Sequence, residues 1–223
     1  MNKILCFDVS GNSTSVAINI GQEVIAFEQE LRAHMQAERL IVIIENVLLS
    51  AHLKYKDIDY LAVTTGPGSF TGVRIGLAAA YGIAYASGIK SIGITNFEAA
   101  YYRLKRQVTK FDYAFIILDA YRNQQYVQIF GNNGYKSDPI LADNDKIKAI
   151  IDSYAGVKVC TGSGTAAIYN EIKNSSDLLI LPRFKTIKAH IIARLADDMI
   201  NQGILSAAME PLYIRPPDAV PAV

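Results

Sequence analysis

A glycine-rich turn between an apolar run and a long helical segment constrains the fold most, in the stretch TTGPGSFTGVRIGLAAAYG (residues 64–82). Gly66 and Gly68 let the backbone turn tightly, and Ser69 is a suitable helix N-cap. The free N–H groups at such a helix start favour an anion, but a phosphate-binding loop would end in Lys followed by Ser or Thr, where this chain has SFTG. Two interpretations remain open: a nucleotide phosphate site, or a capped start that shapes a packing helix.

The helix predicted for 71–87 carries small residues at every fourth position, at Gly72, Gly76 and Ala80, and should end at Gly88. Positions four apart lie on one ridge of a helix, and a ridge without side chains lets a second helix approach closely. We therefore expect a helix–helix contact here, either inside the protein or with a partner.

A second helix, predicted for 33–53, contains more apolar residues than one buried face needs. The excess is buried between layers of the same molecule, or it forms a partner surface, since a large exposed apolar patch usually marks an interface.

Strand and helix patterns occur in the same order twice along the chain. Three short strands form a predicted antiparallel meander at the start, alternating helices and strands follow, and the pattern restarts at the strand 113–120. This predicts two related α/β lobes, each a mixed sheet with flanking helices. We place the lobes at 1–105 and 106–223, with the last helix able to return to the first lobe.

Polar residues at strand ends form a possible nucleotide site. Asp8 and Ser10 follow the first strand, and Asp119 takes the same place in the second lobe. Gly162 and Gly164 make a second glycine-rich turn. Paired aspartates would suit phosphoryl transfer, whereas each of these features alone is also an ordinary turn. We expect at most a vestigial nucleotide site, at Asp8, Ser10, Gly66, Gly68, Ser69, Asp119, Gly162 and Gly164.

Composition narrows the functional classes. The net charge is +1 over 223 residues, which argues against strong nucleic-acid binding by this chain alone. The three histidines show no metal-binding spacing, so we expect no metal site. The two cysteines are typical of buried thiols in a reducing compartment. With no signal peptide or membrane span expected, we predict a cytoplasmic protein.

Several stretches together resemble the TsaB (YeaZ) family: ILCFDVSGNSTSVAI, RAHMQAERL, TTGPGSFTGVRIGLAAAYGIAYASGI and PLYIRPPD. The resemblance is clear over the first hundred residues and looser beyond. It implies a two-lobed actin/Hsp70-like fold. It also implies a non-catalytic subunit of the bacterial complex that forms threonylcarbamoyladenosine on the adenosine 3′ of the tRNA anticodon.

The resemblance further implies the partners. The subunit would dock and activate TsaD and help to recruit TsaE, would form a homodimer through the same helical face when TsaD is absent, and would meet tRNA only within the complex. ATP and metal are expected on the partner subunits, with weak nucleotide binding possible at a subunit junction. The residues expected at the docking face are His34, Met35, Leu40, Ile43, Ile44, Val47, Gly72, Val73, Arg74, Gly76, Leu77, Ala80 and Tyr81.

The chain departs from the family patterns at two places. TsaD holds a metal through an HxxxH pair, and the matching positions here are Asn96 and Ala100, neither of which can replace an imidazole. Members of the family carry DAR-x-x-E-V-Y in the second lobe, where this chain has Tyr121 in place of Arg and Gln124 in place of Glu.

Other functions remain as alternatives. One is a small kinase or ATPase of the same fold that uses Asp8 and Asp119, and another is a glycoprotease-like metallopeptidase. Direct tRNA binding is a third, which a strong salt dependence would reveal.

Overall fold

The computed structural model describes residues 1–31, 35–181, 186–204 and 208–215. They divide into two compact units, 1–108 with 184–211 and 109–183 with 212–223. The first division therefore falls three residues after the predicted boundary at 105, and the last helix belongs to the first unit.

Ten strands and six α-helices are formed by the described residues. The strands are β1 (Lys3–Asp8), β2 (Thr14–Ile20), β3 (Glu23–Glu30), β4 (Tyr60–Thr64), β5 (Lys90–Ile94), β6 (Tyr113–Asp119), β7 (Gln125–Gly131), β8 (Ile140–Ala142), β9 (Lys158–Thr161) and β10 (Leu178–Leu181). The helices are α1 (Gln36–Ser50), α2 (Phe70–Ser87), α3 (Asn96–Lys105), α4 (Asn144–Ser153), α5 (Tyr169–Ile172) and α6 (Ala189–Asn201).

Each unit contains a five-stranded mixed sheet of the same topology. The first has the order β3-β2-β1-β4-β5 and the second β8-β7-β6-β9-β10. In both, three antiparallel strands form a meander, and the first of them pairs in parallel with the next strand along the chain. The predicted repetition is confirmed.

The helices of the first unit cover opposite faces of its sheet. Successive side chains of a strand point to opposite faces. On β3, Glu30 accepts a hydrogen bond from Arg39 of α1, whereas the ring of Phe27 packs edge-on against His190 of α6 at 5.0 Å between centroids. Since α2 packs against α1 and α3 against α6, the unit has an α1–α2 layer and an α3–α6 layer.

Local sequence accounts for both ends of α2 and for the start of α3. The Ser69 hydroxyl accepts a hydrogen bond from the Gly72 N–H, and α2 ends at Gly88 in the left-handed conformation, so both predictions are confirmed. The N-cap of α3 is Thr95. Thr95 and Glu98 form a capping box, which satisfies both backbone donors and leaves the Asn96 side chain to other contacts.

Candidate functional site

The glycine ridge of α2 faces the protein's own sheet. A Cβ atom at Gly72 would lie 2.0 Å from the backbone oxygen of Val9, and one at Gly76 would lie 2.9 Å from a Val9 methyl group. A Cβ atom at Gly68 would likewise lie 2.3 Å from the Ser10 oxygen. The prediction that Gly72 and Gly76 open a way for a partner helix is therefore corrected: they allow α2 to approach the end of β1.

Most apolar residues predicted for the docking face belong to the core of the first unit. Each has a relative exposure of 5% or less, because α1 and α2 turn these side chains towards the sheet. This corrects the prediction for Leu40, Ile43, Ile44, Val47, Val73, Leu77 and Ala80. Met35, Arg74 and Tyr81 are exposed, as an interface requires, and His34 lies outside the described residues.

The outer surface of α1 and α2 is apolar nonetheless. On α1 the exposed apolar side chains include Val42 and Leu49, at 44% and 75%, and together with Met35 they repeat at intervals of seven residues. Seven residues are close to two helical turns, so Val42 and Leu49 lie on one stripe of α1, and Met35 is the residue just before the helix. Sequence reasoning missed Val42 and Leu49, although this spacing was there to find them.

Helix α2 presents a second small-residue ridge to solvent. Ala78, Gly82 and Ala86 are exposed at intervals of four residues, and a Cβ atom at Gly82 would meet nothing within 4 Å. Tyr81 and Tyr85 stand beside this ridge, exposed to 51% and 94%. We call the α1–α2 face the surface formed by Met35, Val42, Leu49, Tyr81, Gly82 and Tyr85.

Two contacts fix the edges of the α1–α2 face. The Tyr81 hydroxyl donates a 2.8 Å hydrogen bond to the backbone oxygen of Met209, whose side chain is buried in the core of the first unit. The Arg74 guanidinium lies 3.7 Å from the centroid of the Phe70 ring. Aromatic and arginine side chains held in this way lose little conformational freedom on binding, which suits them to an interface.

A buried polar cluster occupies the carboxyl end of β1. Asp8 Oδ1 accepts hydrogen bonds from the Ser10 N–H at 3.0 Å, the Ser10 hydroxyl at 2.5 Å and the Thr64 hydroxyl at 2.5 Å. Burial raises the pKa of Asp8, and these hydrogen bonds partly oppose the shift because they favour the carboxylate. Asp8 and Ser10, both predicted site residues, are thus brought together.

The glycine-rich turn folds onto this cluster. The Ser69 N–H donates to the Ser10 oxygen at 2.7 Å, so this amide is already occupied by the protein. The Asn96 amide donates to the Ser10 hydroxyl and to the Pro67 oxygen, both at 2.7 Å, while its own Oδ1 is buried without a hydrogen-bond partner. Asn96 therefore braces the turn at a position where the resemblance places a metal-binding histidine in TsaD.

The second unit repeats this arrangement around Asp119. The Asp119 N–H donates to the Ser163 hydroxyl, and the Asp119 carboxylate accepts from the Tyr121 N–H at 2.9 Å. Cβ atoms at Gly162 and Gly164 would lie 2.0 Å from the Ile117 oxygen and 2.2 Å from Gln125 Oε1, so both glycines allow the turn to approach its sheet. Unlike Asp8, Asp119 is exposed.

The segment that departs from the family pattern is a strained turn. Tyr121, Arg122 and Asn123 all have positive φ angles, of 60°, 55° and 57°. Such angles are uncommon for residues other than glycine. Arg215 donates to Tyr121 O and, at 3.0 Å, to Gln124 Oε1, at the two positions where this chain departs from the family pattern.

Over residues 1–31, 35–181, 186–204 and 208–215, no group of three or more His, Cys, Asp or Glu side chains is arranged to hold a metal ion. In the same ranges no helix is long and apolar enough to cross a membrane. Cys6 and Cys160 are buried free thiols, and burial raises the pKa of both.

Sequence comparisons find relatives in tRNA modification. The family model of TsaD, tRNA N6-adenosine threonylcarbamoyltransferase, matches residues 26–207. The chain is 40% identical over 91 residues to the tRNA N6-adenosine threonylcarbamoyltransferase of Erythrobacter litoralis, covering 40% of this chain and 26% of that protein. It is 37% identical over 94 residues to the tRNA threonylcarbamoyladenosine biosynthesis protein TsaB of Escherichia coli, covering 42% and 40%. These matches span less than half of either relative.

Structure comparisons identify the fold. A Pseudomonas aeruginosa protein described as similar to the peptidase YeaZ superposes with a TM-score of 0.81 at 21% identity, over 96% of this chain and all of that one. Component A of the (R)-2-hydroxyglutaryl-CoA dehydratase of Acidaminococcus fermentans superposes with a TM-score of 0.53 at 12% identity, over 90% and 100%. The predicted actin/Hsp70-like fold is confirmed. The chain belongs to the TsaD (tRNA N6-adenosine threonylcarbamoyltransferase) family, and its resemblance to TsaB (YeaZ) is confirmed.

Proposed function

We propose that this chain is a non-catalytic subunit in the formation of threonylcarbamoyladenosine in tRNA. In this proposal it docks and activates TsaD through the α1–α2 face, helps to recruit TsaE, and supports modification of the adenosine 3′ of the anticodon. The observation that carries the docking role is the group of exposed apolar side chains Met35, Val42 and Leu49 beside the open ridge at Gly82.

The energetics of this face suit association. A fully buried large apolar side chain contributes about 1.5–3 kcal/mol. Burying Val42, Leu49, Tyr81 and Tyr85 therefore supplies enough free energy to offset part of the cost of association, which is about 4–15 kcal/mol. In the absence of TsaD, the same face would pair two copies of this chain, because an apolar stripe beside a small-residue ridge can complement itself about a twofold axis.

Docking would act on TsaD by population shift. A subunit that binds one conformation of TsaD more tightly stabilises that conformation without contributing a reacting group. ATP and metal would then belong to the partner subunits, with weak nucleotide binding at a subunit junction. The contacts of Asn96 support a structural role at its position, since its amide is committed to Ser10 and Pro67.

The test is reconstitution of threonine incorporation into unmodified tRNA. The reaction contains TsaD, TsaE, the threonylcarbamoyl-adenylate synthase and ATP, with or without this chain. We expect turnover to require the chain, and the chain with ATP alone to release no phosphate. Equal incorporation without the chain would overturn the proposal. ATP hydrolysis by the lone chain would favour the kinase alternative with Asp8 and Asp119.

The replacement Asp8→Asn tests whether Asp8 is structural. All three hydrogen bonds to Asp8 reach Oδ1, which an asparagine oxygen can replace. Because the folded state raises the pKa of Asp8, ionisation costs stability, and this cost grows as the pH rises through the folded pKa. We expect Asp8→Asn to be more stable than the parent chain at neutral pH, with the difference disappearing in acid.

Urea denaturation of both chains between about pH 4 and 8 measures this difference. Subtracting the two stability curves removes the contribution of every other titrating group. A variant that is less stable than the parent at neutral pH would show that the carboxylate itself is needed in the fold.

A further inference from the structure

The α3–α6 layer carries a cluster of cations on the face of the sheet opposite the α1–α2 face. Its members come from the last turn of α3, the start of α6 and the middle of α6: Arg103, Lys105, Arg106, Lys188 and Arg194. Lys105, Arg106 and Lys188 are exposed, and Arg103 and Arg194 are half-buried. We call this surface the basic face.

Arg103, Arg106, Lys188 and Arg194 lie around the junction of α3 and α6, and Lys105 is the last residue of α3. The Tyr102 hydroxyl donates to Asp198 at 2.8 Å and accepts from Arg106 at 2.9 Å, which joins the end of α3 to α6. His190 lies on the same side of α6, and besides burial, the charges of Arg194, Lys188 and Arg103 lower its pKa. The imidazole therefore favours the neutral form in this field.

Two acidic side chains of this layer, Asp197 and Asp198, accept hydrogen bonds from neutral donors. Asp197 is 5% exposed and accepts from the side-chain amides of Asn2 and Gln22. Asp198 accepts from Tyr102 and Gln22. Glu98 caps α3 through Thr95. The carboxylates of Asp197 and Asp198 are thus engaged by groups of the protein, and the exposed Lys105 and Lys188 add positive charge to the outer surface.

Aromatic rings lie among the cations. Lys105 Nζ is 4.8 Å from the centroid of the Tyr101 ring, and the Arg106 guanidinium is 5.4 Å from that of Tyr102. Phe27, which packs against His190, is 38% exposed. Tyr102 is buried, whereas the Tyr101 and Phe27 rings are partly exposed. Cations near exposed rings match a single-stranded or looped RNA, whose phosphates pair with lysine and arginine and whose bases stack on rings.

We propose that the basic face binds the phosphate backbone of tRNA. This inference rests on the proposed function for the identity of the RNA. The net charge of +1 over the whole chain does not conflict with this proposal. Nucleic-acid binding depends on how the charge is distributed over the surface rather than on its sum. Since the basic face and the α1–α2 face are on opposite sides of the sheet, docking of a partner leaves the basic face open.

Fluorescence anisotropy with labelled, unmodified tRNA and the full chain tests the proposal across a series of salt concentrations. The variant is Lys105→Gln with Lys188→Gln. Its matched control is Lys56→Gln with Lys90→Gln, which removes the same charge from two exposed lysines outside the basic face. Each lost phosphate contact reduces the slope of log K against log salt by about 1.

We therefore expect the variant to lower the slope by about 2 and to weaken binding about tenfold or more at moderate salt, with the control unchanged. Three results would overturn the proposal: a parent chain that shows no salt-dependent binding at low salt, equal slopes for the parent and the variant, or equal losses in the variant and the control. The last would mean that binding is diffuse.

Failure of the RNA-binding proposal can be told apart from failure of the proposed subunit role. If threonine incorporation requires the chain but both double variants bind tRNA alike, the basic face is wrong and the subunit role stands. If incorporation proceeds without the chain, the subunit role fails, while the slopes still report whether the basic face contacts RNA.

Discussion

The two helical layers of the first unit cover the same sheet but expose different chemistry. The α1–α2 face exposes large apolar side chains, among them Leu49 at 75% and Tyr85 at 94%. Helices α3 and α6, every residue of which is described, expose none, and present lysine and arginine instead. Exposed apolar area is costly in water, and clustered cations repel one another, so each surface is best explained by a different partner. In the two proposals above, a protein docks on the first and RNA binds the second.

The largest expected effect separates the two glycine ridges of α2. Gly76→Leu should destabilise the chain by about 3 kcal/mol or more, because the side chain has no space beside Val9. Gly82→Leu should stabilise it by about 0.5–1 kcal/mol, because leucine is the better helix former and the site is open. Urea denaturation measures both.

The Gly82→Leu variant also tests docking. Gly82→Leu, although stably folded, should no longer bind TsaD if a partner helix approaches this ridge. Retained binding by Gly82→Leu in size-exclusion chromatography would show that the contact lies elsewhere on the α1–α2 face.

The fold was predictable from local patterns, whereas the side of each helix that packs against the sheet was not. The antiparallel meander, the cap at Ser69 and the stop at Gly88 follow from residues close in sequence. Which ridge of α2 faces the sheet depends on the close approach of Gly72 to Val9, two residues that are distant along the chain. Both ridges have small residues at the same spacing, so the sequence pattern could not distinguish them.

The basic face was missed for a related reason. The stretch from Arg103 to Lys110 reads as a solvated helix end, and Lys188 and Arg194 are more than 75 positions away. Only the packing of α3 against α6 brings these charges together, through contacts such as that between Tyr102 and Asp198. The net charge of the chain, +1, does not indicate that these cations are clustered.

A second experiment exchanges the properties of the two faces. Val42→Glu with Leu49→Glu should weaken TsaD binding about a hundredfold, or about 2.7 kcal/mol, because two carboxylates would lose water on docking. Stability should stay within about 0.5 kcal/mol, since both side chains are exposed. Lys105→Glu with Lys188→Glu is the matched control on the other layer.

The control should keep TsaD binding and lose RNA binding, and the α1 variant should do the reverse. Titration calorimetry with TsaD and anisotropy with tRNA measure the two affinities on the same preparations. A double variant that loses both affinities would contradict the separation of the two faces and indicate one shared surface.

The smallest expected effect compares one tyrosine of each layer. Tyr102 is 8% exposed, and its hydroxyl bonds the charged groups of Asp198 and Arg106. Tyr81 is half-exposed and bonds only a neutral backbone oxygen, that of Met209. Hydrogen bonds to charged groups contribute more than neutral ones, so Tyr102→Phe should cost about 2 kcal/mol and Tyr81→Phe about 1 kcal/mol in urea denaturation. Equal costs would indicate that water replaces the Tyr102 hydroxyl between α3 and α6, and that the charges of the basic face do not depend on this bond for their placement.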